Sequence, residues 1–286
     1  MLDYINGNKF EELASKLSRT HSNIFKNIVF CRAQSAINNI QQFYHPFQKL
    51  ILITGDDDQG PNYHDFLRKP KNVVYWYAMH TAYTHPNLIP IPVGLDNDYG
   101  HNANPNDPYN KEFSDNLEKI VVNTKITDTV YCNWTNGPEL IDYKWKPATY
   151  GPNPVRRHIC EKLKANNVKY VWEEPNIPRI EYANLISTYK FVISPPGSAW
   201  HDPIACDSHR TWHALHLGSV PIVIRSSNFR EYDRDDFPMI QVDDYSEVTN
   251  ELLQSYLEKE KNVKMNTEKL YMNYWIKRIT DQFNTL

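Results

Sequence analysis

At 286 residues, with 41% hydrophobic and 13% aromatic side chains, the chain carries enough apolar material for two lobes of ordinary domain size. A formal net charge of -3 excludes the basic footprint of a nucleic-acid binder, so nucleic acid is not an expected partner. No window approaches the apolar length of a membrane span, and Met1 to Phe10 lacks the basic and apolar segments of a signal peptide, so a cytoplasmic location is expected. In chain order, residues 28–30 and 50–54 are short apolar runs joined by a predicted helix over 33–43, which makes one βαβ unit. Residues 73–77 and 88–93 read as further strands of the same parallel sheet. Residues 96–111 are rich in Asn, Asp, Pro and Tyr and read as a loop.

A second α/β unit follows. Strands are predicted over 129–133, 169–172 and 240–242, and helices over 154–166 (opened by a proline), 179–188, 252–260 and 267–283. Cys31, Cys132, Cys160 and Cys206 show no metal-type spacing and are expected to be reduced thiols. Asn133-Trp134-Thr135 matches a glycosylation sequon that has no meaning without secretion.

The most informative segment runs from Phe191 to Ile224. Phe191 to Ser194 is an apolar run halted by Pro195, Pro196 and Gly197, and Val220 to Ile224 is a β-branched run. Between them Asp207 or Ser208 serves as N-cap of a helix that Gly218 stops. Such a parallel βαβ unit places its ligand at the carboxyl ends of the strands, where the helix N-terminus offers free N–H groups and its positive dipole end. At about 100° per residue, Thr211, Trp212 and Leu215 share one side of that helix, while His209, Arg210, His213 and His216 share the other and face cleft or solvent. Arg210, in the first turn, reaches the same space as the N-terminus, and its guanidinium fork suits two phosphate oxygens. The residues alone leave open a plainer alternative, in which Arg210 pairs with a neighbouring carboxylate such as Asp202 or Asp207.

With its Pro and Gly loop, its Asp207, RTWHAL from Arg210 and GSVPIVI from Gly218, this segment resembles the exostosin family of glycosyltransferases. Where that family has an acidic residue after Arg-Thr-Trp, expected to hold the ribose hydroxyls, this chain has His213, which also donates or accepts a hydrogen bond. NLIPIPVGLDND, from Asn87 to Asp98, resembles the family's Ile-Pro-x-Gly segment, and residues 181–190 resemble its Tyr-rich helix. The chain is most similar in form to the compact, anchor-free members of large algal viruses and some microbes.

The resemblance implies an α/β protein of the GT-B fold, with two Rossmann-like lobes facing across a cleft. Residues 1–123 form the acceptor lobe, 124–265 the nucleotide-sugar lobe, and 266–286 a helix crossing back to the first. It implies a UDP-sugar donor, an oligosaccharide or glycoprotein glycan acceptor, inversion to a β-linked product, and neither cofactor nor metal. Donor binding falls to Arg156 (with Arg157 as its alternate), Ser194, Pro195, Gly197, Asp207, Ser208, His209, Arg210 and His213. Arg210 also neutralises the leaving diphosphate, and Trp200 or Tyr150 stacks on the uracil. Xylose is the preferred sugar because no basic residue near His213 stands out as a partner for a sugar carboxylate.

The acceptor hydroxyl needs a base. Gly55-Asp56-Asp57-Asp58 follows a predicted strand, so Asp57 and Asp58 sit at a carboxyl edge and are the leading candidates. His80 and Asp96 follow the next two strands on the same edge. Asp96 and Tyr77 are assigned to the acceptor. Two alternatives remain: Asp56-Asp57-Asp58 also fits an Asp-x-Asp motif holding manganese, and a non-catalytic carbohydrate- or nucleotide-binding protein shares the fold. A zinc site at His209, His213 and His216 is disfavoured, since 1.5 Å per residue puts the outer two about 10 Å apart along the axis.

Overall fold

The computed structural model describes residues 5, 7–20, 27–55, 59–95, 120, 124–134, 154–156, 158–173, 177–197 and 207–286. Two parallel sheets organise them. The first contains β1 (Ile28–Arg32), β2 (Leu50–Gly55), β3 (Val73–Ala78) and β4 (Leu88–Pro90), hydrogen-bonded in that order. The second contains β5 (Ile126–Cys132), β6 (Tyr170–Trp172), β7 (Tyr189–Ile193), β8 (Val220–Ile224) and β9 (Ile240–Val242), in the spatial order β6-β5-β7-β8-β9. Both β2 and β8 are buried along their whole length, which is why each reads as an unbroken apolar run rather than an alternating one.

Helices flank both sheets: α1 (Gly7–Thr20), α2 (Ala33–Asn38), α3 (Tyr63–Arg68), α4 (Ile159–Ala165), α5 (Arg179–Thr188), α6 (His209–His216), α7 (Asn250–Asn262) and α8 (Met272–Phe283). The single helix expected over 33–43 is two. It breaks at Asn39, whose φ of -124° leaves the helical region, and resumes as a 3-10 turn, Ile40–Phe43. The helix expected from Pro154 is likewise a 3-10 turn, Pro154–Arg156, and then α4, with left-handed His158 (φ 60°) between them. Extended Tyr271 (φ -120°) splits the last predicted helix into a 3-10 turn, Glu268–Leu270, and α8. The strand expected to reach Val93 stops at Pro90, because the prolines at 90 and 92 have no N–H to give a ladder.

One hydrophobic cluster joins the two sheets. It holds Ile51, Ile53 and Tyr77 of the first sheet, Tyr131 and Val192 of the second, Trp212 of α6 and Trp275 of α8. Trp275 meets Phe10 of α1 edge to face at 6.1 Å, and the Tyr77 hydroxyl donates to Gln282 Oε1, so α8 lies on elements of the first sheet. Further bonds cross between loops. Arg230, after β8, donates to the His85 and Leu88 carbonyls, and Thr81, after β3, bonds Asn228 at 3.2 Å. No helix among the described residues is long and apolar enough to cross a membrane.

Candidate functional site

The strand, loop, helix and strand expected from Phe191 onward are present as β7, the loop from Ser194 to Gly197, α6 and β8. The strands pair in parallel, Phe191 with Val220 and Ile193 with Ile222. The Ser194 amide donates to Ile222 O at 2.9 Å and its hydroxyl bonds Thr211 at 2.8 Å, fastening the loop to both the sheet and the helix. Gly218 (φ 72°) ends the helix in the left-handed conformation that glycine adopts without strain. Lys125 Nζ closes the same end, donating to the Leu217 and Ser187 carbonyls at 3.0 and 2.5 Å. A cation there complements the negative ends of α5 and α6, while burial lowers the Lys125 ammonium to about 8.

At the other end of α6 the backbone identifies Ser208 as the N-cap, but its side chain makes no capping bond. The anion at this helix start is the chain's own Asp207. Its carboxylate accepts from Ser208 N at 2.7 Å, from Trp212 Nε1 at 2.7 Å and from Val93 N, beyond β4, at 3.1 Å. The Asp207 amide donates to His80 Nδ1 at 2.9 Å, so the imidazole is neutral with its proton on Nε2. Burial raises the Asp207 carboxyl to about 6 against the pull of these donors. Burial, helped by nearby His209, lowers His80 to about 4. His209 Nδ1 bonds Gly94 O at 2.8 Å. Gly94 itself (φ 70°) passes so close to Ile5 that a Cβ would lie 2.3 Å from its carbonyl oxygen. Asp207 and His209 thus fasten α6 to the loops beyond β3 and β4.

Arg210 is differently placed. It is half-buried, forms no ion pair among the described residues, and its Nε is buried without a hydrogen-bond partner. Of the plainer alternative's two carboxylates, Asp207 is not paired with Arg210, and Asp202 lies outside the described residues. The guanidinium charge is felt by Tyr131 and Cys132 at the end of β5 and by Tyr245 beyond β9, pulling against the burial that raises all three. Tyr245 also feels Arg156, whose Nε donates to Pro196 O at 2.9 Å. The hydroxyls of Tyr131 and Tyr245 are, like Arg210 Nε, buried without a partner. Two guanidinium groups therefore lie near the carboxyl ends of β5, β7 and β9, Arg156 on the β7 loop and Arg210 at the start of α6. Donors so gathered suit a ligand with several anionic oxygens.

Other expected residues are positioned as follows. Pro195 is buried and Gly197 half-buried beside this corner. His213 is buried rather than facing a cleft or solvent, with Tyr182 of α5 packed against it at 5.8 Å, while His209, Arg210 and His216 on the same side are half-buried, His216 with Tyr271 at 5.9 Å. Tyr77 is fully buried and hydrogen-bonded to α8, so it supports the core rather than presenting a hydroxyl to an acceptor. His80 has its Nδ1 lone pair occupied by the Asp207 amide. Asp56, Asp57, Asp58, Asp96, Tyr150, Arg157, Trp200 and Asp202 lie outside the described residues. Among the described residues no group of three or more His, Cys, Asp or Glu side chains is arranged to hold a metal ion. Tyr131 and Tyr245 were not anticipated, although Tyr245 follows the carboxyl end of β9 by the same rule that picked out Ser194 after β7.

No family model matches the sequence, and no curated protein matches it. Among solved structures, one titled "Crystal Structure of alpha1,3-Fucosyltransferase" aligns over 97% of this chain and 84% of its own, at 13% identity and a TM-score of 0.45. A likeness at that level assigns neither family nor activity. The chain is a mixed α/β protein with two parallel sheets.

Proposed function

We propose that this chain is a glycosyltransferase that holds the diphosphate of a UDP-sugar in the corner between the β7 loop, Arg210 and Arg156. The observation that carries this reading is Arg210, whose Nε is buried without a hydrogen-bond partner and whose guanidinium has no carboxylate partner among the described residues. Leaving buried donors unbonded costs about 1–3 kcal/mol each, a cost that a multivalent oxyanion removes. The exostosin-like order of Ser194, Pro195, Gly197, Asp207 and Arg210 supports the same reading. Residues 1–123 and 124–265 would act as the two lobes of a GT-B enzyme, joined by the helix within 266–286.

In this mechanism the acceptor hydroxyl attacks the anomeric carbon, the bond from that carbon to the diphosphate oxygen breaks, and UDP leaves with charge neutralised by Arg210 and Arg156. Asp57 or Asp58 takes the hydroxyl proton, and the configuration inverts to a β-linkage. No metal is assigned. Xylose is the preferred sugar, and the acceptor is a hydroxyl of an oligosaccharide or glycoprotein glycan.

Calorimetric titration with UDP and a panel of UDP-sugars, with GDP as a control, tests the corner. Arg210→Ala is expected to weaken UDP binding roughly ten- to hundredfold, the loss that goes with charge-assisted hydrogen bonds. Undiminished UDP affinity in that variant overturns the assignment. Of Asp57→Asn and Asp58→Asn, one is expected to abolish sugar transfer with UDP affinity intact. Transfer that stops on adding a chelator and returns with manganese would instead favour the Asp-x-Asp mechanism. Binding of a UDP-sugar with no turnover would reduce the protein to a non-catalytic binding module.

A further inference from the structure

Charge is unevenly distributed along the chain. From Leu13 to Gly55, and again from Phe66 to Leu95, the sequence holds no Asp or Glu, although the whole chain is net acidic at -3. Every strand of the first sheet comes from these two stretches. At the amino edge of that sheet, the segments that lead into β2 and β3 are tied together. Asn72 Nδ2 donates to Phe43 O at 2.9 Å, Gln41 Nε2 to Arg68 O at 2.6 Å, and Leu50 N to Asn72 O at 2.7 Å. These segments carry the three most exposed large apolar side chains among the described residues: Phe47 at 94%, Tyr44 at 64% and Leu67, at the end of α3, at 60%. Lys49, Arg68 and Lys71 are exposed beside them. The nearest described acid, Asp65, is buried and pairs with Arg68 at 2.7 Å, whereas Lys49 and Lys71 have no carboxylate partner among the described residues.

Apolar side chains gathered in water at one place mark an interaction surface, and the cations among them indicate its partner. A second copy of this chain does not fit, because a two-fold contact would press Lys49, Arg68 and Lys71 against their own like charges. An acidic protein would need a pocket shaped to receive Phe47, which stands almost wholly clear of its own chain. A bilayer interface receives a protruding ring without a matching shape, takes tyrosine at the level of its headgroups, and, where its lipids are anionic, attracts lysine and arginine.

We propose that the amino edge of the first sheet docks the protein on an anionic membrane surface, with Phe47, Tyr44 and Leu67 in the headgroup region and Lys49, Arg68 and Lys71 among the acidic headgroups. Apolar insertion and basic charge are each weak alone, and together they give reversible attachment. The loops that meet α6 leave the opposite, carboxyl edge of the sheet, so attachment does not cover the nucleotide corner. This surface goes beyond the enzymatic reading and does not depend on it.

Cosedimentation of the full chain with vesicles of phosphatidylcholine alone, or of phosphatidylcholine mixed with phosphatidylserine, tests it. The protein is expected to pellet with the mixed vesicles, to stay in solution with the neutral ones, and to be released by added salt. Phe47→Ser is expected to lower the partition coefficient roughly tenfold, the loss of one partly buried ring. Lys49→Gln combined with Lys71→Gln is expected to lower it roughly 25-fold, about fivefold for each cation. Both variants change exposed side chains, so melting temperature and UDP affinity are expected to stay at their wild-type values. The proposal is overturned if the wild type does not pellet with the mixed vesicles, if it pellets equally with the neutral ones, or if either variant partitions as the wild type does. It is overturned equally if the chain binds polyglutamate but not vesicles, which assigns the patch to an acidic protein. A dimer in sedimentation velocity that Phe47→Ser abolishes, without vesicle binding, would assign it to a second copy and overturn the proposal too.

Discussion

His80 and Asp207 share one hydrogen bond and titrate in opposite senses. Buried His80 is lowered from 6.5 to about 4, so as pH falls through that window the unfolded chain takes up a proton that the native state refuses, and stability is lost. Asp207 is raised from 3.8 to about 6, so across those values the native state takes up its proton first, and falling pH adds stability. The two contributions partly offset each other between about pH 4 and 6, with His209 acting on both. Asparagine at position 80 is a clean probe, because it tolerates the left-handed backbone found there (φ 54°) and offers an oxygen to the Asp207 amide. His80→Asn is expected to lose less stability than the wild type between pH 6.5 and 4. Chemical denaturation midpoints measured across that range check this, and superimposable profiles would show that His80 is not held neutral by burial.

Short helices depend on their caps, and α3 is the clearest instance. Asn62 Oδ1 accepts from His64 N at 2.8 Å and Asp65 N at 3.1 Å, while Asp65 Oδ2 accepts from Asn62 N at 3.1 Å and Oδ1 pairs with Arg68 at 2.7 Å. Asn62→Ala is expected to cost about 1 kcal/mol of stability, read as a lower denaturation midpoint with unchanged slope. An unshifted midpoint would mean that packing alone holds this six-residue helix. The cap residues were visible in the sequence, yet the helix was not anticipated, because six residues carry too little apolar periodicity to register. The opposite holds for β2 and β8, whose continuous burial writes itself as Leu50 to Thr54 and Val220 to Ile224. Helix breaks at His158 and Tyr271 were invisible, since a single backbone rotation leaves no mark in composition. At the site, Arg210 was legible from local order around one helix start. Tyr131, Tyr245 and the burial of His213 were not, because they arise from strands and helices brought together only by tertiary packing.

At the scale of the molecule, each sheet has a hydrophobic cluster of its own, and a third cluster is shared between them. Ile53 and Tyr77 of the first, Val192 of the second, Trp212 and Trp275 belong to one cluster, and the C-terminal α8 reaches it from the far end of the sequence. Trp275 is fully buried, donates from Nε1 to Lys269 O at 3.0 Å and packs against Phe10, so it connects the last helix to the first. Half-buried polar contacts run the same way, with Arg278 Nη1 on Glu231 at 2.8 Å and Lys269 donating to the Glu231 carbonyl. A core shared in this manner makes the stability of each sheet conditional on the other. Thermal unfolding is therefore expected to be one cooperative transition, with calorimetric and van 't Hoff enthalpies in agreement. Trp275→Ala is expected to remove about 3–5 kcal/mol, the cost of emptying a large buried aromatic site, and to destabilise both sheets together. Hydrogen exchange resolves the point: amides of β2 and of β8 should lose protection in parallel in that variant. Loss confined to one sheet, or two separate melting transitions in the wild type, would show that the sheets fold independently and that α8 merely rests on the first.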